Sequence, residues 1–193
     1  MISMSDIKLI RGNCLDVMAD MPDKCVDLTV TSPPYDNLRD YNGNNDLWSE
    51  SVWKSVIESL YRVTDDGGVV VWVVGDATVK GSETGTSFKQ ALYAIDCGFN
   101  LHDTMIYSKP NFSAVGALKV RYAPVFEYMF IWSKGRPKSF NPIKDKPNKT
   151  SGSYRKAPTI RGKDGNIIKN KPSRIKDFGQ RYNIWEHAPN SKG

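Results

Sequence analysis

The sequence predicts an α/β fold built on a mostly parallel sheet. Two continuous apolar runs, Val26 to Val30 and Val69 to Val74, are typical of strands that are buried on both faces. Between them, apolar side chains recur at helical spacing from Val52 to Tyr61, which predicts a β-α-β unit. The chain has 193 residues, of which 39% are hydrophobic, and this is enough for one domain with a substantial core.

The first half of the chain adds a short strand and a short helix to this unit. Ile7 to Ile10 is apolar enough for a strand, and Cys14 to Asp20 has the pattern of one or two helical turns. The helix around Val52 is expected to begin at Ser49 or Ser51, since either serine can cap its N-terminus. Gly67-Gly68 is expected to follow the end of that helix.

The segment from Ser87 to Trp132 is predicted to hold one more helix and two strands. The helix runs from Ser87 to Cys97 and ends at Gly98. Its inner face is expected to carry Phe88, Ala91, Leu92 and Ile95. Two strands are predicted, Leu101 to Tyr107 and Val125 to Trp132. We expect them to form an antiparallel pair at the edge of the sheet.

Basic charge is concentrated at the C-terminal end. Residues 1 to 132 hold 11 Lys and Arg against 17 Asp and Glu, whereas residues 133 to 193 hold 16 against 4. Pro137 to Arg181 has few apolar residues and is expected to form loops. Four aromatic residues are interleaved with the basic ones, namely Tyr154, Phe178, Tyr182 and Trp185. This pattern favours a nucleic-acid-binding surface, and a solvated tail is the alternative.

Composition argues against a membrane protein and against a metal site. No apolar stretch reaches membrane-spanning length and no signal peptide precedes the first strand, so a cytoplasmic protein is expected. The three cysteines, Cys14, Cys25 and Cys97, lack CxxC spacing, and His102 and His187 are the two histidines. These residues show no metal-ligand pattern, and we predict no metal.

Ser32-Pro33-Pro34-Tyr35 directly follows the first buried strand and forms a rigid polar turn. The two prolines fix φ and remove two backbone donors, so the turn presents carbonyl acceptors and the Ser32 hydroxyl. Such a surface suits a substrate that offers an NH2 group, and the Tyr35 ring could stack on a flat base taken out of its helix. The pattern therefore indicates chemistry on an exocyclic amine.

Thr31 to Tyr35 resembles the TSPPY motif of DNA amino-methyltransferases of the beta class, in which the catalytic half comes first. The segments Leu9 to Met18, Asp66 to Asp76, Ile106 to Asn111 and Phe126 to Gly135 follow the order of that family. The resemblance implies a Rossmann-like, circularly permuted methyltransferase sheet and S-adenosylmethionine as cofactor. It also implies double-stranded DNA as partner and a bacterial or phage-encoded protein. The catalytic half is expected at 1–135, and target recognition at 136–193.

The resemblance also implies roles for individual residues. The catalytic set is Ser32, Pro33, Pro34 and Tyr35. The substrate-binding set includes Lys109, Pro110 and Asn111, which resemble the loop that forms the far wall of the base pocket. It also includes Asn37 and Arg39, which lie just past the motif where a loop could cover the base or touch phosphate, and a solvated loop is the alternative for these two. The cofactor-binding set is Asn13, Cys14, Thr31 and Ser32, although the family commonly has Asp at position 13. Asp76 could line the site or cap the next turn, and Glu127 is interpreted as an edge or paired structural carboxylate.

One departure from the family concerns the glycine-rich cofactor motif, which follows target recognition in the beta class and has no match here. We therefore expect a truncated or split enzyme, completed by a homodimer or by a complementary chain. An inactive DNA-binding fragment remains the alternative, as does an enzyme that acts on RNA or on a protein amide. Ser32 favours cytosine N4 over adenine N6 as the methylated atom, and both stay open.

Overall fold

The computed structural model describes residues 7–36, 47–109, 120–156, 159–163, 165–169 and 171–187. The chain divides into two compact units. The first runs to Ser139 and resumes at Asn183, and the second comprises Phe140–Tyr182. No helix within the described ranges is both long and apolar enough to cross a membrane.

The first unit alternates helices and strands. In chain order its elements are α1 (Cys14–Ala19), β1 (Val26–Thr31), α2 (Glu50–Val63), β2 (Thr64–Val74), β3 (Thr78–Val79), β4 (Ser82–Glu83), α3 (Thr86–Asp96), β5 (Asn100–Ser108) and β6 (Phe126–Ser133). The second unit contains β7 (Lys146–Pro147), β8 (Tyr154–Arg155), β9 (Thr159–Arg161), β10 (Ile167–Lys169), β11 (Ser173–Arg174) and β12 (Phe178–Gly179). The chain then returns to the first unit as β13 (Ile184–Glu186).

The main sheet has the strand order β1-β2-β6-β5-β13. β1 is parallel to β2, β13 is parallel to β5, and β6 is antiparallel to both β2 and β5. The predicted mostly parallel sheet is therefore confirmed, with β6 as the reversed strand. The antiparallel pairing of β5 with β6 is also confirmed, but its expected position at the edge is wrong. Ile184 pairs with Ile106, which places β13 outside β5.

The core lies between the sheet and helices α2 and α3. Val70, Trp72 and Val74 on β2 alternate with half-buried residues and are at most 1% exposed. They form one cluster with the apolar face of α2, including Ile57. Trp72 also donates its indole N–H to Gln90 Oε1 on α3 at 2.8 Å, which satisfies the buried indole, whereas the amide nitrogen of Gln90 is buried without a hydrogen-bond partner among the described residues. This packing fixes α3 against the strands that carry the candidate site.

The predicted boundaries of α2 are partly confirmed. Ser49 is the N-cap, and its hydroxyl accepts the backbone N–H of Val52. The helix ends at Val63, and β2 begins at once, so Gly67-Gly68 lies within β2 instead of following the helix. Gly67 has φ of +76°, which glycine adopts without steric cost, and this explains a glycine at the irregular start of β2. The Gly67 N–H donates to the Lys134 carbonyl at 2.6 Å.

Two further predictions are wrong. Ile7 to Ile10 is not a strand, because no described strand pairs with it, and Leu9 is 93% exposed. On α3 the prediction holds for Ala91, but Phe88, Leu92 and Ile95 are exposed. The buried residues are instead Ser87, Gln90, Ala91 and Ala94. The small alanines allow close approach to the sheet, and the hydrogen bonds of Ser87 and Gln90 fix the helix phase.

The second unit is more ordered than the loops predicted for Pro137 to Arg181. Its strands pair antiparallel in a nested series: β7 with β12, β8 with β11, and β9 with β10. Nesting means that the chain runs out and returns as one interrupted hairpin, which reverses direction between β9 and β10. There Gly162 donates its N–H to the Asn166 carbonyl at 2.8 Å. Backbone pairing supplies this order, and apolar periodicity does not reveal it.

Candidate active site

The strand ends of the main sheet bring several polar residues to one edge. Ser32 follows β1, Asp76 lies two residues beyond β2, and Lys109 follows β5. Because β6 is antiparallel to its neighbours, it contributes its amino end, where Phe126 pairs with Ser108. Ligands of open α/β sheets bind at the carboxyl ends of the parallel strands, which makes this edge the expected location of a site.

A cavity of about 180 Å³ lies at this edge. It is lined by Tyr35, Gly75, Asp76, Glu83, Lys109, Pro124, Phe126, Glu127 and Tyr128. The volume is below the roughly 300–1,000 Å³ of typical ligand pockets and suits one planar base better than a nucleoside-sized cofactor. Aromatic rings form part of its wall, and carboxylates with one ammonium group supply its polar part.

A hydrogen-bond chain joins the SPPY turn to β6. Ser32 Oγ lies 2.7 Å from the Tyr35 hydroxyl, and Tyr35 donates to Glu127 Oε2 at 3.2 Å. The ammonium group of Lys109 is hydrogen-bonded to the other oxygen, Glu127 Oε1. Tyr35 is 8% exposed, and the side chains of Lys109 and Glu127 are 19% and 15% exposed. The Lys109–Glu127 ion pair is thus largely buried, and a buried ion pair is stable only when both partners are hydrogen-bonded.

Asp76 both lines the cavity and caps α3, so the two alternatives from the sequence are compatible. The N-cap position of α3, Gly85, offers no side chain. Asp76 Oδ1 accepts the backbone N–H of Ser87 at 2.9 Å, and Oδ2 accepts the Ser87 hydroxyl. A carboxylate at a helix N-terminus satisfies free N–H groups and interacts favourably with the helix dipole. The cavity wall is therefore tied to the start of α3.

Tyr128 keeps its proton at neutral pH. Burial raises the pKa of the Tyr128 hydroxyl, and the carboxylates of Asp76 and Glu83 raise it further. The Tyr128 ring is stacked on Phe130 and packs edge-on against Phe126 and Phe88. The cavity therefore has a neutral hydroxyl donor in an aromatic wall.

The structure brings together Ser32, Tyr35 and Lys109 from the predicted catalytic and substrate-binding sets. Pro33 is buried and Pro34 is half-buried within the turn. The other predicted substrate-binding residues, Asn37, Arg39, Pro110 and Asn111, lie outside the described residues. Their roles, and the stacking of a base on Tyr35, remain predictions.

The residues predicted to bind cofactor lie near α1 and β1. Asn13 Oδ1 accepts the Leu15 N–H at 2.9 Å as the N-cap of α1, which leaves its amide NH2 to donate. Cys14 is exposed, and Thr31 is half-buried at the end of β1. None of these three residues lines the described cavity, which is too small for a whole S-adenosylmethionine molecule, and their contact with the cofactor remains a prediction.

Glu127 is the main residue of the site that the sequence did not assign a function. The interpretation as a paired carboxylate is correct, since Lys109 is its partner. Its contact with Tyr35 joins residues 92 positions apart and depends on strand register. The only sequence signal is an acidic residue at the start of an apolar strand. No group of three or more His, Cys, Asp or Glu residues that could hold a metal occurs within the described ranges.

Methyltransferases are among the curated proteins that resemble this chain in sequence. The orphan methyltransferase M.BamHII of Bacillus amyloliquefaciens is 52% identical over 171 residues, covering 84% of this chain and 60% of that protein. The type II methyltransferase M.SfiI of Streptomyces fimbriatus is 28% identical over 160 residues, covering 70% of this chain and 38% of that protein. The chain thus spans at most about 60% of these relatives.

Solved structures show the same fold. The PvuII DNA methyltransferase (cytosine-N4-specific) superposes with a TM-score of 0.61 at 16% identity, covering 94% of this chain and 57% of that one. TTHA0409 from Thermus thermophilus, complexed with S-adenosyl-L-methionine, gives 0.51 at 24% identity, covering 72% and 55%. The N6/N4 family model, described as DNA methylase, matches residues 26–192. With most of its length matched, this chain belongs to the N6/N4 DNA methylase family.

Proposed function

We propose that this chain carries the catalytic part of a site-specific DNA methyltransferase, which methylates the exocyclic amine of a flipped base. The observation that carries the proposal is the hydrogen-bonded set Ser32, Tyr35 and Glu127 beside a base-sized cavity. The set lies within the region that the DNA methylase model matches. Base flipping is needed because the amine is inaccessible inside a duplex.

The residues of the turn act by positioning. An exocyclic amine is a poor nucleophile, because its lone pair is delocalised into the ring. Ser32 Oγ and the Pro33 carbonyl would accept its two N–H groups, hold the nitrogen and favour a pyramidal geometry with the lone pair directed at the methyl group. S-adenosylmethionine supplies that methyl group when it is bound. Asn13, Cys14 and Thr31 would contact one side of it.

The second unit supports a DNA substrate. Residues 140–182 contain 12 Lys and Arg against 3 Asp. The exposed aromatic residues Tyr154, Phe178 and Tyr182 lie among these basic side chains. Neutralising phosphates is the main source of affinity for DNA, and exposed rings can stack on bases. We assign the catalytic role to residues 1–135 and target recognition to residues 136–193, with β13 returning to the sheet.

A second copy or a complementary chain is part of the proposal. β1 is an edge strand among the described strands, and its side chains Leu28 and Val30 are 58% and 67% exposed. An unpaired edge with apolar side chains favours association. Sedimentation velocity of the purified chain tests this: a concentration-dependent dimer supports self-association, and a monodisperse monomer at all concentrations contradicts it. A role in DNA modification also places the chain in the cytoplasm.

The proposed function is tested by analysing the modified nucleoside. The chain is incubated with S-adenosylmethionine and unmethylated genomic DNA, which is then digested and analysed by mass spectrometry. N4-methylcytosine is the product we expect, and N6-methyladenine would keep the reaction class but change the base. DNA binding without any methylated nucleoside would favour the alternative, a DNA-binding fragment without activity. Sequencing of the same DNA for modified bases gives the recognition site.

A further inference from the structure

We propose that Glu127 sets the direction of the hydrogen-bond chain and so makes Ser32 an obligatory acceptor, which restricts the site to bases that present an amino group. The inference deepens the proposed function and rests on it. Glu127 is a positioning residue here, because it acts on the base through Tyr35 and Ser32.

The carboxylate of Glu127 can only accept hydrogen bonds. Lys109 donates to Oε1, and the two side chains form an ion pair. The second oxygen, Oε2, lies 3.2 Å from the Tyr35 hydroxyl, which must therefore be the donor. Since the pair is 15–19% exposed, bulk water does not compete freely for this oxygen.

Tyr35 has a single hydroxyl hydrogen, and Glu127 takes it. Only 2.7 Å separates Ser32 Oγ from the Tyr35 oxygen, so one of the two must donate to the other. With the Tyr35 hydrogen directed at Glu127, the donor in this bond is Ser32. The lone pairs of Ser32 Oγ then remain for an incoming group, and Ser32 is exposed at the strand ends.

This arrangement discriminates between amino and carbonyl groups. An exocyclic NH2 offers hydrogens to the Ser32 lone pairs. A carbonyl oxygen in the same place would direct its lone pairs at those of Ser32 Oγ. Two acceptors would then face each other without a donor, and sites that leave polar groups unpaired in this way bind the wrong ligand much more weakly. The site would therefore exclude uracil in place of cytosine, or hypoxanthine in place of adenine, before any methyl transfer.

Replacing Glu127 with glutamine tests the inference, because the amide can donate as well as accept. In Glu127→Gln, the amide NH2 can donate to Tyr35, Tyr35 can donate to Ser32, and the Ser32 hydrogen can then face the base. The assay uses duplexes that contain the methylation site mapped for the wild-type chain. One duplex has the amino base at the target position and the other its carbonyl counterpart, and Kd is measured for each.

We expect Glu127→Gln to reduce the Kd preference for the amino base by about tenfold or more, in line with the cost of unpaired buried acceptors. It should also lower kcat/KM for methylation of the amino base. In a Tyr35→Phe background, where the chain is already broken, Glu127→Gln should add no further loss of preference. Asp96→Asn, which removes an exposed carboxylate at the end of α3, serves as the charge control.

A purely structural role for the Glu127 ion pair predicts a different result. Glu127→Gln would then lower the melting temperature and weaken binding of both duplexes equally, with the preference unchanged. An unchanged preference, or full additivity with Tyr35→Phe, overturns the inference. If wild-type chain methylates DNA and the preference survives in Glu127→Gln, only the inference fails. If wild-type chain methylates no DNA, the failure belongs to the proposed function.

Discussion

The carboxylate of Asp76 accepts the backbone N–H of Ser87 at 2.9 Å, across the segment between β2 and α3 that contains the short strands β3 and β4. Its second oxygen accepts the Ser87 hydroxyl, and the Ser87 side chain is fully buried. The residue that lines the cavity is thus also the cap of the helix that covers the sheet. Local stability and the shape of the site are therefore coupled at this position.

Asp76→Ala should destabilise the chain by about 1–3 kcal/mol, since a helix cap is lost and a buried hydroxyl loses its partner. Asp76→Asn should cost less, because the amide oxygen still accepts the Ser87 N–H. Urea unfolding followed by tryptophan fluorescence measures both. Asp96→Asn at the other end of α3 is the matched control. Equal stability of Asp76→Ala and wild type would show that this cap contributes nothing.

The exposed apolar stripe of α3 predicts unequal effects for two neighbouring positions. Leu92 is 62% exposed, whereas Ala94 is fully buried. Leu92→Gln should change the free energy of unfolding by less than about 0.5 kcal/mol, as is usual for surface positions. Ala94→Gln should cost more than about 2 kcal/mol, because a larger polar group must enter the core. A large loss for Leu92→Gln would mean that the helix phase differs from the one described.

Two arginines on one strand pair of the second unit predict how DNA affinity depends on salt concentration. Ser173 pairs with Arg155, and Arg174 pairs with Tyr154, so both arginines lie on the β8–β11 ladder. If each contacts a phosphate, Arg155→Gln with Arg174→Gln should lower the slope of log K against log salt by about 1.8. Lys89→Gln on α3 is the control and should leave the slope unchanged. An unaltered slope in the double variant would remove this ladder from the DNA contact.

Acid should loosen the base of the hairpin in the second unit. Hydrogen bonds from the Arg181 guanidinium, together with its charge, hold the pKa of Asp145 below its usual range. A carboxyl with a lowered folded pKa stabilises above its ordinary pKa, and the contribution is lost as the pH falls through the folded value. The backbone N–H of Arg181 donates to the Ile143 carbonyl at 2.8 Å, so hydrogen exchange of this amide reports local opening of the hairpin base.

Hydrogen exchange by NMR tests this dependence. After correction for intrinsic exchange, protection of the Arg181 amide should stay constant from about pH 6 down to the ordinary carboxyl pKa of about 4 and should decrease below it. Asp145→Asn should show low protection already at the higher pH, with little further change. Identical pH profiles for wild type and Asp145→Asn would contradict the assignment.

Sequence patterns predicted the parts of the fold that depend on local chemistry. The strands β1 and β2, the Ser49 cap and the SPPY turn have strong local signals. Burial on both faces was nevertheless wrong for β1, because it is an edge strand among the described strands and Leu28 and Val30 are exposed. The phase of α3 could not be predicted, because large apolar residues suggest an inner face while Ala91 and Ala94 determine the close contact. The phase of α3 is determined by side-chain hydrogen bonds of Ser87 and Gln90, which sequence periodicity does not reveal.

The other features that the sequence did not predict depend on pairing between residues that are far apart in the chain. β13 is three residues long and has no periodicity of its own, and the hairpin of the second unit depends on backbone pairing. Glu127 looked structural because its contact with Tyr35 appears only once β6 is aligned with β2 and β5. The chemistry of the turn could be inferred from residues alone, but its orientation by a distant carboxylate could not.

The most direct test of the account is transfer of a labelled methyl group from S-adenosylmethionine to DNA by wild type and by Ser32→Ala. The variant removes only the hydroxyl that is proposed to hold the amine, and its stability is checked by melting. We predict transfer by wild type, a loss of about a hundredfold or more in kcat for Ser32→Ala, and little change in DNA affinity. Equal kcat in a folded Ser32→Ala variant would contradict the assignment of the SPPY turn as the catalytic site.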